Sequence, residues 1–443
     1  MELAKALRVE AGEVIAFVGA GGKTSAIRKL VEELTADFPV LVTTSTKFAL
    51  DESDLAEEHE IIEDAGGLIT VLSDWDHDKA LLLTGPQVPD EPKWGGLPLA
   101  QLQDVIEFSR EKKVVLLIEA DGAGGRSIKA PAAHEPALPH NLDLLVPVVG
   151  IDALGERVDS ELVHRSELVG DLLGVDGDTR LTAQHIATLL IHPSGGLKTL
   201  PLHAELRVVL NKVETDESLL KAQEIAGLAL QESKIQSVII GSMQGEEPVR
   251  QARGRVAGIV LAAGESERFP GMKLLHEIDG KPMLAHVLDA VRSSRIHRRV
   301  IVLGHEHESI LKAVDCEGFQ VVNNAEWSQG QSTSVQAGLE AVSGEVEAVI
   351  YPLGDMPLID AGLINQIIDR HAETLAPIVA PQVGKVWGNP VLFDRITFPT
   401  FSELKGDRGG KLLFERFEVE PVEAAGSVQR DVDRPADLKD LEP

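Results

Sequence analysis

The 443-residue sequence predicts an α/β protein of two doubly wound domains with mainly parallel sheets, and three observations carry that prediction. Short, continuously apolar runs alternate with amphipathic stretches, the pattern of parallel strands buried on both faces and covered by helices. A unit of strand, glycines and cation occurs twice, at 14–23 and again at 258–273. Between the copies, residues 241–255 (GSMQGEEPVRQARGR) are polar and lack apolar periodicity. Domains average roughly 150 residues, so this length accommodates two large ones. We therefore expect domains at 1–245 and 255–443 joined by a linker at 246–254.

The elements follow in order. Run 14–18 (VIAFV) opens the first sheet and leads into Gly19-Ala20-Gly21-Gly22-Lys23-Thr24-Ser25. Further strands are expected at 40–43, 114–118, 144–149, 207–210 and 237–240, with helices at 23–34 and 182–191. The acidic segment 51–64 reads as a solvated helix or loop. In the second half, strand 258–261 is followed by strands at 300–303, 321–322, 348–353 and 378–380. Helices at 283–292, 309–314, 333–342 and 361–371 separate them. Open parallel sheets bind ligands beyond the carboxyl ends of their strands, where both glycine loops fall.

Composition excludes several classes. With 42 basic against 71 acidic residues the formal charge is −29, so a nucleic-acid partner is not expected and any phosphate must be held locally. The hydrophobic share of 43% rules out wholesale disorder. A single cysteine, Cys316, allows no internal disulfide, thiolate zinc cage or iron–sulfur cluster. No apolar run approaches the ~20 residues that span a bilayer, and run 14–18 opens onto glycines rather than a cleavage site. We expect a cytoplasmic protein without a membrane partner.

The second glycine loop reads Leu261-Ala262-Ala263-Gly264-Glu265-Ser266-Glu267-Arg268-Phe269-Pro270-Gly271-Met272-Lys273. Its small residues let backbone amides approach a polyphosphate. Arg268 and Lys273 supply a forked and a point cation, and Lys281 follows in Gly280-Lys281-Pro282. A glycine turn alone is common structure; the cations at this spacing favour a nucleotide. Strand 348–353 ends in Gly354-Asp355-Met356-Pro357, placing a carboxylate where Mg²⁺ could take it with phosphates. Asp431-Val432-Asp433 offers a second carboxylate, with Asp433 preferred, and Ser332 and Ser334 stand at a helix start as contacts for phosphate or base.

In the first loop, a standard Walker A motif would put glycine at position 17, where Phe17 stands. The shortened form, similar to the loops of Mur ligases, keeps Gly19, Gly21 and Gly22, Lys23 for phosphates and Thr24 for Mg²⁺. Strand 114–118 runs into Glu119-Ala120-Asp121-Gly122-Ala123-Gly124. A carboxylate closing an apolar strand is costly without a cation, which gives Asp121, or Glu119, a metal-binding role. Asn211-Lys212-Val213-Glu214 resembles the guanine-reading N-K-x-D motif with Glu in place of Asp.

Two resemblances follow from these residues. Residues 256–443 resemble the molybdenum cofactor cytidylyltransferases within the MobA-like nucleotidyltransferases. The carrying pieces are the 261–273 loop, G-K-P (280–282), N-x(5)-G-x-S-x-S (324–334), G-D-M-P (354–357), P-V-L-F (390–393), G-D-x-G-G (406–410) and D-V-D-x-P-x-D-L (431–438). One departure is Phe269-Pro270-Gly271, where the family has glycine sooner after the arginine. The resemblance implies attack by the phosphate of molybdenum-molybdopterin on the α-phosphorus of CTP with Mg²⁺ as cofactor; Ala263, in the family's pattern, implies CTP over GTP. The same fold also serves sugar or polyol phosphates as acceptors, which stays an alternative. Residues 1–245 resemble the YqeC-like accessory proteins of selenium-dependent molybdenum hydroxylases through G-A-G-G-K-T (19–24), T-T-S-T-K (43–47), E-A-D-G-A-G (119–124), H-E-P (134–136), H-R-S-E (164–167) and L-N-K-V (210–213). That implies an ATP- or GTP-binding maturation factor with a molybdenum hydroxylase apoenzyme as partner, either an NTPase or a non-catalytic, nucleotide-gated binding module.

Overall fold

A computed structural model of the chain describes residues 1–265, 269–407 and 410–424. Its contacts fall into two units, Met1–Arg253 and Gly254–Pro443.

The first unit is built on nine strands: β1 (Val14–Gly19), β2 (Val40–Thr44), β3 (Glu58–Ile61), β4 (Leu81–Thr84), β5 (Val115–Glu119), β6 (Leu144–Gly150), β7 (Glu205–Asn211), β8 (Ile235–Gly241) and β9 (Val249–Gly254). Their order is β9-β8-β7-β6-β1-β5-β2-β4-β3. From β8 to β3 every neighbouring pair is parallel. The apolar residues of β1 are buried on both faces, which explains a run with no polar alternation. β1 lies between β5 and β6, where the strand order reverses, so the loop leaving it opens into the crevice that such a reversal creates.

Two expectations change here. Residues 246–254 are not a free linker, because Val249–Gly254 is strand β9 at the sheet edge. Its polarity concealed it: Gln251 accepts from Gln223 and from the buried Arg253, so the polar side chains satisfy one another. Segment 51–64 is likewise more than a solvated loop, since it contains the 3₁₀ turn Leu50–Leu55 and edge strand β3. The charges on β3 suit an edge, where a strand must stay wet.

The second unit carries β10 (Val256–Ala262), β11 (Arg298–Leu303), β12 (Gln320–Asn323), β13 (Ala348–Tyr351), β14 (Ile378–Val383), β15 (Val386–Trp387), β16 (Val391–Asp394) and β17 (Val419–Glu423). The order is β12-β11-β10-β13-β16-β14-β15, with β17 on β14. β10 to β13 pair in parallel, whereas β16 runs antiparallel to both β13 and β14. Helices Met283–Arg292 and Ala361–Thr374 bury apolar residues in the core on one face; Gln331–Glu340 does so on the other. Among the described residues no helix is long and apolar enough to cross a membrane.

Candidate functional site

In the second unit a cleft opens beyond the carboxyl ends of β10 and β13. The loop Leu261–Ala262–Ala263–Gly264–Glu265 forms one side; Trp327, Ser328, Gly330, Gln331 and Ser334 face it, with Asp355 and Asp407 at the margins. Among the described residues, a Cβ built on Gly264 would meet no atom within 4 Å. Lys273 is buried (side chain 6% exposed) and its Nζ donates to Asp355 Oδ2 at 2.7 Å, while Asp355 keeps 26% of its side chain exposed. A hard oxygen donor at a strand end, partly open to solvent, fits a Mg²⁺ ion shared with phosphates. Among the described residues no cluster of three or more His, Cys, Asp or Glu side chains could hold a metal by itself.

The far wall is fixed by backbone contact. Gly330 has φ +112°, and a Cβ there would lie 2.3 Å from the carbonyl carbon of Gly406. The Ser332 amide donates to the Gly406 carbonyl at 3.0 Å. Asn324 Nδ2 donates to Thr333 Oγ1 (2.8 Å) and Ser334 Oγ (3.0 Å), fixing the start of the helix. Beyond this rim the cleft continues over Tyr351, Leu353, Asn389, Phe393 and Leu412. Tyr351 gives its hydroxyl proton to the Val335 carbonyl (3.2 Å), so it presents an apolar ring.

The first unit's loop is built differently. Gly19, Gly21 and Gly22 all have positive φ, and a Cβ on Gly22 would fall 2.1 Å from Asn211 Nδ2. Lys23, 4% exposed, donates to the Gly19 carbonyl (2.9 Å) and pairs with Asp121 Oδ1 (3.1 Å) and Glu119 Oε1 (3.6 Å). Burial opposes its charge, but these carboxylates outweigh burial and hold the ammonium above its usual range. Asp121, 2% exposed, also accepts from the Gly19 amide (3.0 Å) and pairs with Lys129 (2.9 Å). Lys129 continues to Glu135 (2.8 Å), which Arg165 grips with both guanidinium nitrogens (2.6 and 2.9 Å). Burial works against the Glu135 charge, yet Arg165 and Lys129 prevail and pull its carboxyl down to about 2. Thr24 Oγ1 donates to Glu119 Oε2 at 3.3 Å, and burial pushes the Glu119 carboxyl up.

Comparison with known proteins places both halves. A model of the family described as "YqeC protein" matches residues 15–167. "Uncharacterized protein YqeC" of Escherichia coli (strain K12) is 30% identical over 237 residues, covering 52% of this chain and 88% of that protein. The chain belongs to the YqeC family. A model described as "MobA-like NTP transferase domain" matches residues 258–422, so this YqeC-family chain also carries a nucleotidyltransferase domain. "Bifunctional protein GlmU" of Desulfotalea psychrophila is 28% identical over 172 residues, 38% of this chain; the match spans 48% of that relative, about half its length. A crystal structure of the rv0371c homologue from mycobacterium sp. strain JC1 is similar at 29% identity, covering 43% of this chain and 96% of that one, with a TM-score of 0.39.

Several expected site residues of the YqeC-family chain are brought together. Leu261, Ala262, Ala263, Gly264, Ser334 and Asp355 line one cleft, with Lys273 bonded to Asp355. Arg268 and Asp433 lie outside the described residues. Four other expectations need correction. Lys281 is not among the residues lining the cleft; it sits in a two-residue ribbon and is paired with Asp289 of the following helix. Asp121 is no ready metal ligand, because two lysines and an amide already engage its buried carboxylate; Glu119, facing the Thr24 hydroxyl, is better placed. Asn211 and Lys212 brace the loop. Asn211 donates to the Gly21 carbonyl (2.7 Å) and accepts from the Lys212 and Met243 amides, while Lys212 Nζ is bound by Ser127 (2.7 Å) and Asp152 (2.8 Å). Ser332 contributes a backbone bond to Gly406 and a buried side chain rather than a cleft contact. Sequence reasoning missed Lys129, Trp327 and Asp407. Lys129 could have been sought as the second cation that a buried Asp121 demands.

Proposed function

We propose that the second half transfers CMP from CTP to the terminal phosphate of molybdenum-molybdopterin and releases pyrophosphate. The observation that carries this reading is the glycine loop Leu261–Gly264 and the Asp355 carboxylate lining one cleft, with buried Lys273 bonded to Asp355 behind it. An oxygen of the acceptor phosphate attacks the α-phosphorus, and the bond from that phosphorus to the β-bridging oxygen breaks. The nucleophile is already ionised near neutral pH, so the chain need not supply a base. Backbone amides at 262–264 orient the triphosphate, and Lys273 offsets its charge in a site partly shielded from water. Asp355 would hold Mg²⁺, which when bound supplies further neutralisation of the phosphoryl oxygens. The choice of CTP rests on the family pattern at Ala263. The test is to incubate the full chain with each nucleoside triphosphate, Mg²⁺ and molybdenum-loaded molybdopterin, and to identify the product by mass. A cytidine dinucleotide supports the reading; its absence, or a nucleotide sugar formed only when a sugar phosphate replaces the pterin, removes it.

For the first half we propose binding of ATP or GTP at Gly19–Thr24 in support of maturing a selenium-dependent molybdenum hydroxylase. The engagement of Lys23 by three internal acceptors favours a gated binding module over a fast NTPase, because nucleotide must first exchange those partners. Nucleotide binding without phosphate release, lost in Lys23→Ala, is the expected result; steady phosphate release sensitive to Lys23→Ala would instead make it an NTPase.

A further inference from the structure

Trp327 is the one aromatic side chain among the described residues that line the cleft beside the glycine loop, and neither the phosphate chemistry nor the metal uses it. It opens the 3₁₀ turn Trp327–Gln329 that leads through Gly330 into the helix Gln331–Glu340. The ring is half-buried and packed edge-on to His305, with centroids 4.9 Å apart and planes at 63°. His305 is tied to the glycine loop, its amide donating to the Ala263 carbonyl at 3.0 Å. Gly304 leaves no slack: a Cβ there would stand 2.6 Å from Trp327 Cβ and 2.8 Å from the Ala263 carbonyl oxygen. The indole is thus held in a fixed place against the loop that would carry a triphosphate, yet part of it stays open to the cleft. A rigid, partly exposed ring presents a face to any base.

We propose that Trp327, backed by His305, is the platform on which the base of the bound nucleoside triphosphate stacks. This rests on the nucleotidyl-transfer reading. Stacking is indifferent to base identity, so Trp327 sets affinity while the choice among bases falls to groups that read base edges.

The test uses the full chain with Lys23→Ala as the common background, so that the first unit takes no nucleotide, with Mg²⁺ and no acceptor, titrated with CTP, GTP, ATP and UTP in turn; the tightest binder is kept for the position-327 variants. Excitation selective for tryptophan should show quenching on binding in the parent protein, and Trp327→Phe should abolish it although three other tryptophans remain. Affinity by calorimetry should stay within about threefold in Trp327→Phe, which keeps a ring, and fall about tenfold or more in Trp327→Ala. Base-free ribose 5-triphosphate should bind all three proteins equally. Equal weakening of nucleotide and ribose triphosphate in Trp327→Ala, or no weakening of either, overturns the platform while leaving the transfer reading intact. Should the alanine variant not fold, unchanged quenching in Trp327→Phe has the same force. A parent protein that binds none of the four nucleotides overturns both readings.

Discussion

The two lysines that follow the glycine loops make an instructive pair. Lys23 is enclosed by Asp121, Glu119 and a carbonyl of its own loop, within a chain of charges reaching Arg165. Lys273 donates to Asp355, whose carboxylate is partly open to water. The same sequence cue, small residues and then a lysine, therefore yields two electrostatic situations. In the first the cation is part of what holds the fold together, and a ligand must compete with protein carboxylates. In the second the carboxylate lines a cleft, where a ligand can reach it without entering the core.

The sharpest way to break the comparison is Asp355→Asn. Pyrophosphate release in the presence of acceptor should drop by two decades or more, at ~1.4 kcal/mol per decade, with the melting profile unchanged. Near-normal turnover would detach Asp355 from the chemistry. Next in size is a stability contrast. Lys23→Met leaves buried Glu119 without its cation and should cost about 3 kcal/mol in urea unfolding of the first unit. Lys273→Met leaves a carboxylate that water can reach and should cost under ~1 kcal/mol in the second unit while abolishing turnover. Equal losses would mean that the two lysines do the same structural job.

The smallest effects concern pH and should run in opposite directions. Burial pushes the Glu13 carboxyl up to about 7 in the fold, against an ordinary value near 4.5. Between those values the folded state holds the extra proton, so the first unit gains stability as pH falls from 7 to 4.5. Burial lowers the His297 imidazole to about 4, against 6.5. There the unfolded chain holds the extra proton, so the second unit loses stability as pH falls from 6.5 to 4. Thermal melts of the full chain between pH 4.5 and 7.5 should show these opposed slopes, flattened by Glu13→Gln in the first transition and His297→Gln in the second.

Much of the scaffold was legible because burial on both faces writes uninterrupted apolar runs, as in 14–18 and 144–149. Strand β9 was not, since its polar residues are satisfied by one another, and β3 was not, since an edge strand tolerates charge. The antiparallel strand β16 escaped because orientation leaves no trace in an apolar run. Among site residues, backbone-defined positions such as Gly19, Gly21 and Gly22 stood out, their type following from local geometry. Long cations did not: the sequence cannot say that Lys281 turns to Asp289, or that Lys129 reaches Asp121.

The contact of Gly330 with Gly406 and Asp407 has an evolutionary corollary. Because main chain meets main chain there, the aperture of the second cleft does not depend on which side chains happen to stand around it. Side chains lining the neighbouring cavity, such as Leu412 and Asn389, can then vary while the gauge of the entrance stays constant. A methyl group at position 330 would remove that constancy at a stroke.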